Sequence, residues 1–163
     1  VVMIVMGLNQ GMQPIAGYNF GAKLYGRVNK VLRLTIIYAT AVTTFGFLVG
    51  MLVPDLVVGI FTSDAELTEL SVTGLRITVM FFPIIGFQMV TSNFFQSIGM
   101  AGKAIFLSLT RQMLILLPCL LILPQFFGVA GVWYSMPVSD LLASLIALVM
   151  LVCQFRKFRT SPL

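Results

Sequence analysis

The sequence predicts an all-α fold of the polytopic membrane class, and three observations carry that expectation. First, 59% of its 163 residues are hydrophobic and only 9% are charged, where a soluble domain carries about 25% charged residues. A globule of this size buries too little surface to hide so much apolar area from water, and the mean hydropathy of +1.04 agrees. Second, uncharged runs near the length of about 20 residues that a bilayer requires recur along the chain. Leu34 to Pro54, Ile77 to Gly102 and Gln112 to Ser139 hold no charge, and Leu141 to Phe155 follow after a single Asp. Third, the charges fall between those runs instead of sharing one amphipathic face.

Five helical elements follow in order: the end of one helix at about 1–22, then four spans at about 34–62, 71–99, 104–126 and 132–155. The first opens on the apolar run Val1 to Met6. It lacks the basic region and the small-residue cleavage site of a signal peptide, so the chain is expected to be a piece of something longer. A basic loop, Lys23 to Arg33, leads into the second element. An acidic loop with Asp64, Glu66 and Glu69 separates the second from the third. Pro83, Pro118 and Pro137 lie inside spans, where membrane helices tolerate them. Pro124, Gly128 and Gly131 set the break before the last element.

Counting crossings puts Lys23, Arg27, Lys30, Arg33, Lys103, Arg111, Arg156, Lys157 and Arg159 on one side, with Arg76 the exception among ten basic residues. That is the distribution the positive-inside rule gives for cytoplasmic loops. The expected location is therefore the cell membrane, with the basic loops and C-terminus cytoplasmic. The net charge of +5 then orients the chain and does not imply a nucleic-acid partner. Cys119 and Cys153 differ in depth by roughly 20 Å at 1.5 Å per residue, beyond disulfide reach.

The sequence contains no His, no phosphate-binding loop and no nucleophile or metal-ligand motif, so no enzymatic activity and no bound cofactor are expected. Polar groups at membrane depth remain, and these suggest function because they are costly there. Gln88, Thr91, Ser92 and Gln96 fall within about 140° at 100° per residue. They form either a wall of a substrate cavity or interhelical hydrogen bonds. Asp140 is the one acid well inside a span, sharing a helix face with Trp133, Pro137 and Ser144. It is either a cation-coupling site or half of an ion pair with Arg76, which enters the membrane from the same side. Arg111 reads as a side chain snorkelling to the cytoplasmic surface. Gly7/Gly11, Gly17/Gly21 and Gly46/Gly50 have a spacing that permits close helix packing.

The stretch Gly11-Met12-Gln13-Pro14-Ile15-Ala16-Gly17-Tyr18-Asn19-Phe20-Gly21-Ala22 resembles the cytoplasmic-end motif of the multidrug and toxic compound extrusion (MATE) family. Gln13, Pro14, Gly17 and Gly21 carry the likeness. Phe95 to Lys103 is similar to the segment leaving that family's tenth helix. Gly128 to Trp133, with Pro137 and Asp140, is similar to the entry to its twelfth. The resemblance covers nearly the whole chain. It implies the end of helix eight and helices nine to twelve of a twelve-helix, two-lobe transporter, with the N-terminal lobe as missing partner.

The implied activity is antiport of H⁺ or Na⁺ against organic, often cationic, drugs by alternating access. Gln88, Thr91, Ser92, Gln96, Asp140 and Ser144 are then expected to line the cavity. One departure is plain. Some members carry an acidic cation ligand after a Phe-Gln pair in the tenth helix. Here Phe87-Gln88 is followed by Met89, Val90, Thr91 and Ser92. The alternatives are a lipid-linked saccharide flippase of the same superfamily, which would carry more intramembrane basic residues to bind phosphate, or a small structural membrane protein.

Overall fold

The computed structural model describes residues 1–61 and 65–160, without the side chains of Ala65, Glu66, Val129, Arg159 and Thr160. Among these residues every regular element is a helix and no strand occurs. The expected all-α membrane fold is the observed one. Tyr25–Leu52, Ala101–Phe127 and Ala130–Phe158 are each long and apolar enough to cross a bilayer, and a bent helix pair is so too if counted as one broken span.

Several boundaries move, each for a local reason. Helix α1 (Val2–Gly21) runs unbroken through Pro14. The segment read as a basic loop is mostly helix: α2 (Tyr25–Leu52) starts at Tyr25 and not near 34. Arg and Lys are good helix formers, so charge there marks the end of the apolar layer and not the end of the helix. A single left-handed residue, Lys23 (φ 59°), makes the turn between the two helices. At the other end of α2, Val53 leaves the helical region (φ −131°, ψ 47°), as Pro54 disfavours a helical predecessor. The expected helix 34–62 is therefore split, with a short α3 (Pro54–Gly59) after the break. Asp64 lies outside the described residues.

The third span is two helices, α4 (Ala65–Val79) and α5 (Phe82–Ser97), bent by 50°. Pro83 sits in the first turn of α5, where its missing N–H costs least, so the bend falls just ahead of it. The fourth span runs through α6 (Ala101–Leu109), a π-helical segment (Thr110–Leu116) and α7 (Leu117–Phe127). Pro118 stands two residues after the last residue of the π-helical segment. A proline ring clashes with the carbonyl four residues back in a regular helix, and a widened turn relieves that clash. Gly128 (φ 59°) reverses the chain into α8 (Val129–Thr160).

Helix α5 is the centre of the bundle, in contact with α1, α2, α6 and α8. Phe94 and Phe95 are fully buried on it, against Met12, Val28, Leu32 and Leu107 of the core cluster. Gly86 permits a close approach of α5 to α2: a Cβ there would lie 2.7 Å from Thr43 Oγ1 and 3.0 Å from Ala39 O. Gly46 and Gly50 likewise abut Val1 and Val79, and Gly17 abuts the backbone of Ser97, whereas Gly7, Gly11 and Gly21 meet no atom within 4 Å. The glycine spacings thus mark helix contacts in one pair fully and in another by half. Cys119 and Cys153 are both free thiols.

The basic ends of the helices gather at one end of the bundle. Tyr25 of α2 stacks on Phe158 of α8 at 4.9 Å between ring centroids, and Phe20 of α1 packs edge-on against Tyr25. Lys103 at the start of α6 donates to Gln154 Oε1 of α8 and lies over the Phe95 ring. The start of α2, the start of α6 and the end of α8 therefore share a level, as the charge count along the sequence requires.

Candidate functional site

Two adjoining crevices open beside α5, with volumes of about 380 and 330 Å³. Met6, Met89, Arg111 and Gln112 line both, so together they form one cleft between α1, α5, the π-helical segment and α8. The larger part is mainly apolar and reaches Asp140 and Ser139. The smaller part is rich in polar groups, with Gln88, Ser92, Asn93 and Ser108.

The boundary between the two is an ion pair. Arg111 donates from Nε and from Nη2 to Asp140 Oδ1, each at 2.8 Å. The Asp140 side chain is 7% exposed and that of Arg111 33%. Taking a carboxylate out of water is expensive unless a cation and hydrogen bonds compensate it, and the guanidinium supplies both. The expected partner, Arg76, is not the partner. Gly74 faces the Trp133 ring of α8; Arg76, two residues or about 200° further round α4, points away from α8 and is exposed. Nor does Arg111 snorkel outward. The widened turn at Thr110–Leu116 carries it and Gln112 to the cleft side.

The remaining residues singled out from the sequence divide. Gln88 lines the cleft while 95% buried, its Oε1 without a hydrogen-bond partner. Ser92 lines it too, sharing a hydrogen bond with Ser108 at 3.3 Å. Thr91 is fully buried and donates to Phe87 O of its own helix. Gln96 is exposed near the basic end and lines neither crevice. Ser144 donates to Leu141 O and lies in a separate groove across α5. Thr91, Gln96 and Ser144 thus fall outside the cleft, because real neighbours, not helix angle alone, decide which part of a face is open.

Sequence reasoning passed over Gln112, Asn93 and Ser108. Asn93 accepts a hydrogen bond from Gln13 Nε2 at 3.2 Å, which ties the Gln13-Pro14 motif of α1 to the cleft wall. One signal for the ion pair was available. Reflected about the turn at Gly128, Asp140 stands opposite Leu116, five residues or about 7.5 Å from Arg111, within an arginine's reach. No group of His, Cys, Asp or Glu among the described residues could hold a metal ion.

Comparison with known proteins places this arrangement. The MatE family model matches residues 1–122. The multidrug export protein MepA of Staphylococcus aureus (strain MSSA476) is 27% identical over 146 residues, covering 90% of this chain and 32% of that protein. MepA of Staphylococcus saprophyticus is 21% identical over the same length. A ligand-bound structure of the MATE multidrug transporter DinF-BH superposes with a TM-score of 0.88 at 37% identity, covering 96% of this chain and 35% of that one. An inward-facing MATE transporter shares the fold at a TM-score of 0.90 and 20% identity, covering 99% and 38%. The chain spans about a third of the length of the relatives it matches. With the family model covering most of its length and the helices superposing throughout, the chain belongs to the MATE family of multidrug efflux transporters.

Proposed function

We propose that this chain forms most of the C-terminal lobe of an antiporter that exports organic, often cationic, compounds in exchange for H⁺ or Na⁺. The cleft beside α5 is its share of the translocation path, opened alternately to either face as the two lobes rock. The observation that carries the reading is the Arg111–Asp140 pair, set in an open cleft between apolar helices. Ionisable groups at membrane depth are expensive and mark pathways of ions or substrates.

The mixed character of the cleft fits the substrate class. Apolar walls accept a hydrophobic body, and a few convergent polar groups fix its orientation. The Asp140 carboxylate, its charge shared with Arg111, and the carbonyl of Gln88 are acceptors that suit an N–H donor on the substrate. No step of such transport requires a resident cofactor or enzymatic chemistry. A flippase for phosphate-bearing lipids needs uncompensated intramembrane cations, whereas Arg111 is neutralised by Asp140. Family membership does not by itself choose the coupling ion, and the bilayer, the drug and the other lobe are the partners this reading requires.

Efflux of ethidium, a fluorescent organic cation, from cells expressing the full-length protein tests it. Collapse of one cation gradient, H⁺ or Na⁺, is expected to abolish efflux while collapse of the other leaves it intact. Efflux that survives the loss of both gradients overturns the antiporter reading.

A further inference from the structure

Across α5 from the cleft runs a groove of different character. Ile36 and Thr40 of α2, Pro83, Ile84 and Phe87 of α5, and Leu148 of α8 are among its walls, and its volume is about 430 Å³. It is a shallow groove and not an enclosed cavity. Ser144 is the polar residue on its α8 wall, and that hydroxyl is already committed to Leu141 O. Apart from Ser144 and the Thr40 hydroxyl the walls are apolar, so the groove suits a hydrocarbon chain.

What makes the groove specific is its basic end. Arg33, Ile36 and Thr40 stand at i, i+3 and i+7, one stripe of α2. The α2 wall thus runs directly up to Arg33, one turn beyond Ile36. Lys30 lies one turn further, about 60° round the helix. Both are exposed, and neither belongs to the buried face of α2, which carries Val28, Leu32, Thr35 and Ala39. Helix α8 runs on past that level, since its Phe158 stacks on Tyr25, five residues before Lys30. Apart from Asp140, the acidic residues all lie between 55 and 69, beyond the far end of α2. Nothing acidic among the described residues neutralises the basic mouth.

We propose that this groove is a binding site for an anionic phospholipid, with one acyl chain lying against Ile36, Thr40, Phe87 and Leu148 and the phosphate held by Arg33 and Lys30. A bilayer supplies hydrocarbon and headgroup at the depths where the groove supplies apolar wall and positive charge. Basic residues at a membrane surface each attract anionic lipid, and the attraction fades within a Debye length. A hydrocarbon groove adjoining the charge turns that diffuse attraction into a site. The proposal is independent of which drug or ion the cleft carries.

The test uses the full-length protein in detergent, titrated with phosphatidylglycerol or with phosphatidylcholine of identical acyl chains, and bound lipid counted by native mass spectrometry. Phosphatidylglycerol is expected to be retained several-fold better. In the Lys30→Gln/Arg33→Gln variant that preference is expected to vanish, and Lys30→Arg/Arg33→Lys to restore it. Thr40→Trp, which fills the groove below an intact basic mouth, is expected to lower retention of both lipids. Equal retention of the two lipids by the wild-type protein overturns the proposal, as does an unchanged preference in the Gln variant. Full competition by soluble glycerol phosphate also overturns it, in favour of a simple anion site. A nitroxide at Thr40→Cys that is shielded from lipid-dissolved oxygen overturns it too, because a protein segment would then cover the groove. Circular dichroism and gel filtration verify that each variant is folded; the substituted residues face outward, so the fold is expected to persist.

Discussion

The two sides of α5 differ more than the two ends of the bundle do. On one side, Met89, Gln88 and Ser92 face a cleft that holds a buried ion pair. On the other, Pro83, Ile84 and Phe87 face a shallow apolar groove. One helix thus separates a cleft that holds charged and polar groups from an almost wholly apolar groove. Mean hydropathy cannot register this, since both faces belong to one apolar segment. The division separates polar groups by whether their hydrogen-bonding capacity is already spent within their own helix. Gln88, on the cleft wall, keeps a buried carbonyl with no hydrogen-bond partner, while Ser144 and Thr91 spend their hydroxyls on their own helices.

Substitutions in the full-length protein test that comparison. Asp140→Asn is expected to have the largest effect. It leaves Arg111 in the cleft without its counter-charge, and breaking a fully buried pair costs about 3–5 kcal/mol. Arg111 is one-third exposed, so a loss on the order of 2 kcal/mol is expected, with ethidium efflux reduced at least about tenfold. Abundance by immunoblot separates the two effects. Adding Arg111→Gln is expected to restore abundance and leave efflux low; recovery of both would reduce the pair to a structural role.

Gly86→Ala comes next, because it attacks the α2–α5 contact that holds the two sides apart. Its Cβ would meet Thr43 Oγ1 at 2.7 Å and the Ala39 carbonyl at 3.0 Å. Overpacking of this kind costs about 1–3 kcal/mol, read as a lower melting temperature. An unchanged melt would show that the contact is looser than described. Gln88→Leu separates folding from transport. Removing a buried, unpartnered carbonyl is expected to leave stability unchanged or slightly higher, while efflux falls several-fold. Ser144→Ala should do least: within about 0.5 kcal/mol in stability and within about twofold in efflux. A large efflux defect there would break the distinction between the two sides.

Much of the architecture was legible in the sequence because bilayer length and charge placement are strong constraints. The uncharged runs located the four spans, and the basic clusters do meet at one end of the bundle, through Tyr25–Phe158 and Lys103–Gln154. What was not legible depends on helix rotation. Charge at Arg27 to Arg33 looked like a loop, though helix α2 simply extends past the apolar layer. Pro54 and Pro83 fixed breaks that hydropathy smooths over. At the site, angle alone grouped Gln96 and Ser144 with the cleft, and a comparable depth paired Asp140 with Arg76. The π-helical turn ahead of Pro118 shifts the register of every side chain near it, and a 3.6-residue count has no way to include it. The Arg111–Asp140 contact was nonetheless within reach of a simple hairpin reflection about Gly128.

If the cleft, and not the groove, is this lobe's part of the transport path, a bound substrate shields the cleft alone. Substrate protection tests it most directly. In a cysteine-free background of the full-length transporter, Gln112→Cys and Ser144→Cys are each labelled with a membrane-permeant maleimide, with and without ethidium. Ethidium is expected to slow labelling at position 112 and to leave position 144 unaffected. Protection at 144 with none at 112 would contradict the account.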